Sequence, residues 1–320
     1  MLFVASGYGN GTSEHDIQLL ELCRDGAMAR LTGVCQGDCP SFLCLAGDTL
    51  YALSELPEHA RVTAYHLDAG ARTLTRLAAL DAPGSALCHI AAAGSAVYGA
   101  CFGSGDCFAL DGGLTRLLWR RAPQADARTQ PRAHWCAPDP WGDALYWADL
   151  GADEVRVDTL RGGLPGGGET RIPLPAGSGP RQVVPLGPGH IAVVCEHDAS
   201  VRLLRARDGR WAEEQVLTAS ACAEPRNYPG GAARLPDGSL LVANRGPNTI
   251  ALLRRGEHAY EPAGEWEVGG DWPRHIACQG DYVLAACQNS GQIRSFAWDG
   301  GRLRPLGAYA LPRAACVLPL

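Results

Sequence analysis

Residues 130–155 read QPRAHWCAPDPWGDALYWADLGADEV, and the fold is predicted from the pattern of this stretch. An arginine and a histidine lie between two prolines at its start, and a polar turn follows at residues 139–143. The chain is then apolar from Ala144 to Ala148, until the corner Asp149-Leu150-Gly151. Two short apolar segments separated by a polar turn are typical of a β-hairpin. We therefore predict a hairpin with charged or titratable side chains at its ends.

This hairpin pattern recurs along the chain at intervals of roughly 45 residues. Its opening, a short turn before an apolar strand, recurs at Pro40, Ser85, Pro131, Pro180, Pro229 and Pro273. Its second strand recurs in the segments that begin at Leu50, Val97, Leu145, Ile191, Leu240 and Val283. A third strand with alternating side chains and a weaker fourth strand follow in each repeat. Four short strands in a repeat of this length are the sequence signature of a β-propeller blade.

The two ends of the sequence complete the count of blades. Pro312-Arg313 repeats the opening at Pro273-Arg274 but has no further strands after it, whereas residues 1–31 contain strands without such an opening. We therefore expect the N- and C-terminal strands to share one blade, so that no sheet edge stays open. The prediction is an all-β, seven-bladed β-propeller of four-stranded blades, forming a single domain over residues 1–320. The glycine run Gly166–Gly168 is interpreted as a hairpin turn.

The composition excludes several classes of function. A formal net charge of −6 argues against a nucleic-acid-binding surface. All 28 basic residues are arginines, which removes Schiff-base catalysis and the lysine of a P-loop. No apolar run approaches the roughly 18 residues of a membrane span, so we expect no membrane partner. The first residues lack the pattern of a signal peptide, so we predict a cytoplasmic protein.

The sequence predicts neither a metal nor an organic cofactor. Its 13 cysteines are scattered and many lie in apolar runs, so we expect buried, reduced thiols rather than a disulfide framework. The group Cys35, Cys39 and Cys44 lacks the spacing of a zinc knuckle and has no obvious partner pair.

Polar residues recur at equivalent positions of different repeats, and propeller geometry brings such positions together. The first strand of each blade lines a central channel, and the corner after the second strand reaches one mouth of it. Several polar residues occupy one of these two positions: Arg132, His134, Arg181, Glu196, Arg245, Arg274, His275 and Gln288. We interpret them as one candidate site, the alternative being that polar corners are only turns.

Four segments of the sequence carry the motifs of a known family. Residues 131–155, PRAHWCAPDPWGDALYWADLGADEV, resemble the signature PHxH…PDG…LYVADLGxDxV of the propeller lactonases. This family includes bacterial 6-phosphogluconolactonases and fungal carboxymuconate cyclases. Residues 179–201, 228–252 and 270–293 resemble its GPRH…NE, PDGRFLYVSNRG and PRxF…VANQ segments. The chain departs from the pattern at Arg132 and Gln182, where the family usually has histidines.

The resemblance implies a site made of one histidine, two arginines and one glutamate. Carried over by motif, these are His134, Arg181, Glu196 and Arg245. In this interpretation His134 is the general base or acid, and Glu196 is its orienting partner or the alternative base. The two arginines hold the phosphate and the developing oxyanion. Substrate binding is assigned to four further residues: Arg132, Arg274, His275 and Gln288.

The implied activity is hydrolysis of a small anionic lactone, with 6-phosphogluconolactone as the substrate, in a monomer or weak homo-oligomer. Two alternatives stay open. One is a carboxymuconate-type cycloisomerase, in which the arginines would bind carboxylates and a side chain would move a carbon-bound proton. The other is a non-catalytic propeller that binds a partner at the mouth of the channel, since one fold serves many functions.

Overall fold

A computed structural model describes residues 1–9, 15–123, 130–222 and 225–320. Within these ranges, every element of regular secondary structure is a β-strand. The strands form seven sheets of four strands each. The predicted all-β architecture and the four-stranded repeat are therefore confirmed. In chain order, the strands of the first two sheets are β1 (Leu2–Gly7), β2 (Ile17–Leu22), β3 (Met28–Val34), β4 (Leu43–Ala46), β5 (Thr49–Glu55), β6 (Ala60–Asp68) and β7 (Thr73–Ala82).

The remaining strands follow the same repeat. The third and fourth sheets contain β8 (Leu87–Ala93), β9 (Ala96–Cys101), β10 (Cys107–Asp111), β11 (Leu117–Arg121), β12 (Ala133–Pro138), β13 (Ala144–Asp149), β14 (Glu154–Arg161) and β15 (Leu164–Pro173). The fifth and sixth contain β16 (Pro180–Gly187), β17 (His190–Cys195), β18 (Ser200–Arg207), β19 (Arg210–Thr218), β20 (Tyr228–Arg234), β21 (Leu240–Arg245), β22 (Thr249–Arg255) and β23 (Tyr260–Glu267). The last strands are β24 (Pro273–Gln279), β25 (Tyr282–Cys287), β26 (Gln292–Trp298), β27 (Leu303–Ala310) and β28 (Ala314–Pro319).

The two chain ends meet in one sheet. Its strand order is β28-β1-β2-β3, and β28 pairs antiparallel with β1, with Val4 opposite Leu318 and Ala5 opposite Val317. The prediction that the terminal strands share a blade is confirmed. This pairing supplies the fourth strand that residues 1–41 lack.

The chain divides into two compact units. The first comprises residues 1–41, 68–74 and 217–320, and the second comprises residues 42–67 and 75–216. Within the second unit, the first strands of consecutive sheets, β4, β8, β12 and β16, lie side by side. Within the first unit, β20, β24 and β28 do the same. The prediction of a single domain stays a prediction.

Strand β13 is buried on both faces, which explains the apolar run in the sequence. Tyr146 and Ala148 pack into a core shared with β16 and β17, whereas Leu145 and Trp147 pack into a core shared with β9 and β10. All four side chains are almost fully buried. A strand covered on both sides reads as continuous apolar sequence rather than as an alternation of apolar and polar residues.

The corner after β13 fastens this strand to the start of β12. Asp149 Oδ1 accepts hydrogen bonds from the backbone N–H of Arg132 (2.7 Å) and Ala152 (3.0 Å). A Cβ atom at Gly151 would lie 1.9 Å from the carbonyl oxygen of Gln130, so only glycine fits there. Burial raises the pKa of Asp149. Asp149 is thus a structural residue that holds Arg132 in position.

The interpretation of Gly166–Gly168 as a hairpin turn is wrong. These glycines lie inside β15, and the turn is formed by Gly162 and Gly163, with φ angles of 59° and 79°. Two consecutive residues with positive φ are what a tight two-residue hairpin requires. A Cβ atom at Gly167 would lie 2.7 Å from Thr159 Cγ2, so at least this glycine permits close packing against the neighbouring strand.

Candidate active site

A β-bulge interrupts the first strand of several sheets and places the candidate residues. The pairing of β12 with β13 shifts between Ala133 and Trp135, so that the register skips His134. The same shift skips Arg181 in the pairing of β16 with β17 and Arg274 in the pairing of β24 with β25. A bulge bends the strand and redirects a side chain relative to the regular pleat. The bulges therefore set the directions of three candidate side chains.

His134, Arg181 and Glu196 meet in the second unit. Nη1 of Arg181 lies 2.6 Å from Nε2 of His134 and 2.7 Å from Oε2 of Glu196. Each of its two protons can therefore serve one of these neighbours. His134 and Arg181 are buried, while the Glu196 side chain is 19% exposed. We call these three residues the catalytic cluster, after the roles predicted for them from the sequence; their predicted convergence from two different repeats is found within this unit.

The contact with Arg181 determines the tautomer of His134. A guanidinium can only donate hydrogen bonds, so Nε2 of His134 must present its lone pair to Arg181. The imidazole is therefore neutral and carries its proton on Nδ1. Because Nε2 is engaged by Arg181, His134 cannot take a proton from water through that atom unless Arg181 moves. The more exposed Glu196 carboxylate is the better placed base.

Sequence reasoning missed Phe102, which joins Arg132 to the catalytic cluster. The guanidinium carbon of Arg132 lies 4.7 Å from the centroid of the Phe102 ring. The His134 ring meets the same phenyl ring edge-on, with centroids 5.8 Å apart and an interplanar angle of 81°. Phe102 follows β9 directly, at the same corner position as Glu196 after β17. That equivalence was the available signal, but a phenyl ring at a corner did not suggest chemistry.

Three rings from consecutive sheets pack together near the start of the first strands. The His89 and Trp135 centroids are 3.4 Å apart with their planes at 26°, and Phe42 packs against His89 with centroids 4.3 Å apart. Nδ1 of His89 accepts a hydrogen bond of 3.2 Å from the backbone N–H of Cys136. The neutral ring thus has its proton on Nε2. His89 is a packed residue of the first strands.

Arg245 belongs to the first unit, where its buried guanidinium is fixed by three contacts. Nε donates to the carbonyl oxygen of Tyr228 at 2.7 Å, and Nη2 donates to that of Pro229 at 3.0 Å. The guanidinium carbon lies 5.3 Å from the centroid of the Trp272 ring. These contacts hold Arg245 in one orientation.

The other predicted binding residues of the first unit, Arg274, His275 and Gln288, each contact a different neighbour. Arg274 lies 5.2 Å from the centroid of the Tyr8 ring, and Arg313 lies 4.9 Å from the same centroid. Nδ1 of His275 accepts a hydrogen bond from the backbone N–H of Val317. Gln288 donates its backbone N–H to the carbonyl oxygen of Trp272.

The described ranges contain neither a metal site nor a membrane span. No group of three or more histidine, cysteine, aspartate or glutamate side chains there could hold a metal ion. Nor do those ranges contain a helix with the length and apolar character needed to cross a membrane.

The sequence matches the family model described as "Lactonase, 7-bladed beta-propeller" over residues 3–319. The chain therefore belongs to the seven-bladed propeller lactonases, which confirms both the predicted fold and the resemblance seen in the motifs. No curated protein matches the sequence significantly.

Solved structures show the same fold. A protein from Lactobacillus plantarum is 22% identical, with a TM-score of 0.88 and complete coverage of both chains. The periplasmic gluconolactonase of Pseudomonas aeruginosa is also 22% identical, with a TM-score of 0.88, covering 99% of this chain and 98% of its own. A candidate 6-phosphogluconolactonase from Bacteroides fragilis is 22% identical, with a TM-score of 0.87, covering 99% and 96%. At these identities the likeness concerns the fold alone.

Proposed function

We propose that the protein hydrolyses a sugar-acid lactone, with 6-phosphogluconolactone as substrate and 6-phosphogluconate as product. The observation that carries the proposal is the hydrogen-bonded contact of Arg181 with both His134 and Glu196. Membership of the lactonase family supports the reaction class, and one similar structure is a candidate enzyme for this substrate.

In the proposed reaction Glu196 is the general base. Its carboxylate takes a proton from water as the water oxygen attacks the lactone carbonyl carbon, and the negative charge moves to the carbonyl oxygen. The ring C–O bond then breaks, and the departing alkoxide takes up the proton held by Glu196. A well-placed general base contributes about 10²–10⁴ in rate. His134, whose Nε2 is engaged, positions Arg181.

Arg181 is proposed to stabilise the developing oxyanion. Both protons of Nη1 serve His134 and Glu196, and within the described ranges neither Nε nor Nη2 donates a hydrogen bond to another side chain. A guanidinium whose orientation is already fixed stabilises charge that develops in the transition state without reorganising during the reaction. The family motif adds Arg245 to the proposed catalytic residues, and the role of Arg245 stays a prediction.

The test is the rate of 6-phosphogluconolactone loss with and without purified protein. We expect clear acceleration over spontaneous hydrolysis, and Arg181→Gln should remove most of it. Equal rates with and without wild-type protein would refute the lactonase proposal. An ultraviolet assay of carboxymuconate and its lactone then tests the cycloisomerase alternative, and failure of both reactions favours a binding module.

We also propose a cytoplasmic location. The 13 cysteines all lie in the described ranges and none of them forms a disulfide there, which supports a reducing compartment. The similar gluconolactonase of P. aeruginosa is periplasmic, so the proposal needs its own test. Fractionation of the source cells should find the protein with cytoplasmic markers, and recovery in a periplasmic fraction would overturn this location.

A further inference from the structure

Arg181 in the catalytic cluster and Arg132 next to it differ in how their charge is balanced. Arg181 forms an ion pair of 2.7 Å with Glu196. The side chain of Arg132 instead donates one hydrogen bond of 3.2 Å to the neutral amide oxygen of Gln130, and it forms no ion pair with any carboxylate in the described ranges. Within these ranges the positive charge of Arg132 is therefore not balanced by an ion pair, and its side chain is partly exposed.

Phe102 fixes this charge beside the catalytic cluster. One phenyl ring contacts the guanidinium of Arg132 with its π face and the imidazole of His134 by an edge-on contact. Stacking on an aromatic ring stabilises a guanidinium while leaving its N–H groups at the edge free to bind. The backbone of Arg132 is also anchored, since its N–H donates to the buried carboxyl group of Asp149.

We propose that Arg132, oriented by Phe102, binds the anionic substituent of the lactone and determines the preference for phosphorylated over uncharged lactones. A phosphate carries a charge opposite to that of Arg132, and its oxygens match two parallel N–H donors of a guanidinium. Although the protein as a whole has a net charge of −6, a cation that is not ion-paired attracts an anionic substrate locally. This inference rests on the proposed lactonase function.

An arginine at position 132 also differs in its charge at neutral pH from the histidine that the family signature usually has there. An imidazole loses most of its positive charge above about pH 6.5, whereas guanidinium groups in general stay charged between about pH 7 and pH 8.5. The KM for the phosphorylated lactone should therefore stay constant between about pH 7 and pH 8.5. A KM that rises steeply over this range would contradict Arg132 as the anion-binding group.

The first experiment compares kcat/KM for 6-phosphogluconolactone and gluconolactone. Arg132→Gln should lower kcat/KM for the phosphorylated lactone by about 10- to 100-fold, because KM rises. It should change kcat/KM for gluconolactone by less than about 2-fold. Phe102→Leu removes the aromatic face and should lower the preference by about 2- to 5-fold. Arg313→Gln is the matched control, because Arg313 also follows a proline and stacks on a ring.

Two results of this experiment would overturn the inference. One is an equal loss for both lactones in Arg132→Gln, which would mean that Arg132 only supports the catalytic cluster. The other is an equal loss of preference in Arg313→Gln, which would assign the effect to overall charge. Thermal unfolding of each variant establishes that all are folded.

A binding measurement separates this inference from the proposed function. Calorimetry at fixed ionic strength compares 6-phosphogluconate with gluconate, and it requires no turnover. If the wild type hydrolyses neither lactone but binds 6-phosphogluconate, and Arg132→Gln loses that binding, the proposed function fails and the anion site stands. If the wild type is active and Arg132→Gln binds 6-phosphogluconate equally well, the anion site fails and the function stands.

Discussion

Replacing Glu196 by glutamine separates its two roles, as the ion-pair partner of Arg181 and as the proposed base. Glutamine keeps an oxygen that accepts the hydrogen bond of Arg181, but it cannot take a proton from water. We expect kcat to fall by about 10²–10⁴-fold, which corresponds to about 2.7–5.5 kcal/mol of transition-state stabilisation, while KM changes little. Because the Arg181 side chain is 9% exposed, losing the charged partner should also cost about 1–3 kcal/mol in the free energy of unfolding.

The assay measures 6-phosphogluconate formation at saturating lactone, with spontaneous hydrolysis subtracted. Glu213→Gln is the control, since Glu213 pairs with Arg202 at 2.6 Å in the same sheet, and Arg202 is also 9% exposed. This control should lose some stability and keep its rate within about 2-fold. The reasoning is refuted if Glu196→Gln keeps the wild-type kcat, or if Glu213→Gln loses as much.

Three further predictions concern positioning, strain and pH. His134→Gln should lower kcat by about 10-fold, which is less than the loss expected for Glu196→Gln, because His134 only positions Arg181. Equal losses of kcat in the two variants would contradict that role. Gly151→Ala should lower the free energy of unfolding, measured by chemical denaturation, by about 2 kcal/mol or more, because the added Cβ atom would overlap a carbonyl oxygen. The control is Gly142→Ala, whose added Cβ atom has its nearest contact at 3.6 Å and should change the free energy of unfolding by less than about 0.5 kcal/mol. The hydrogen bond from Arg205 lowers the pKa of Glu214, so this carboxylate stabilises the fold above its unfolded pKa. Relative to Glu214→Gln, the wild type should therefore lose about 0.3–1 kcal/mol as the pH falls from about 5 to 3, and a constant difference would contradict the shift.

The sheets could be predicted because their signal is local and repeated. Each hairpin in the sequence carries its own apolar strands and polar corner, so the pairing of β12 with β13 follows without knowledge of distant residues. The shared sheet of β28 and β1 was predicted from a repeat divided between the chain ends. The turn at Gly162-Gly163 was not predicted, because a bulge near Thr159 moves the hairpin away from the more obvious glycine run.

The candidate site could be predicted only in part. Equivalent positions in the repeats indicated that His134, Arg181 and Glu196 meet, and they do. The repeats did not reveal which atoms of these side chains are engaged, because that depends on distances of a few tenths of an ångström. Phe102 was missed because an apolar residue orients its neighbours without offering a reactive group.

The bulges of the first strands also bear on how such a protein can change its chemistry. Five of these strands, β8, β12, β16, β20 and β24, shift register at equivalent places. A side chain at a bulge does not face a partner across the ladder, so its replacement leaves the strand pairing intact. The fold thus separates the residues that hold the sheets together from several of those proposed to contact the substrate. A new activity can be sought by exchanging the residues at these few positions within an unchanged scaffold.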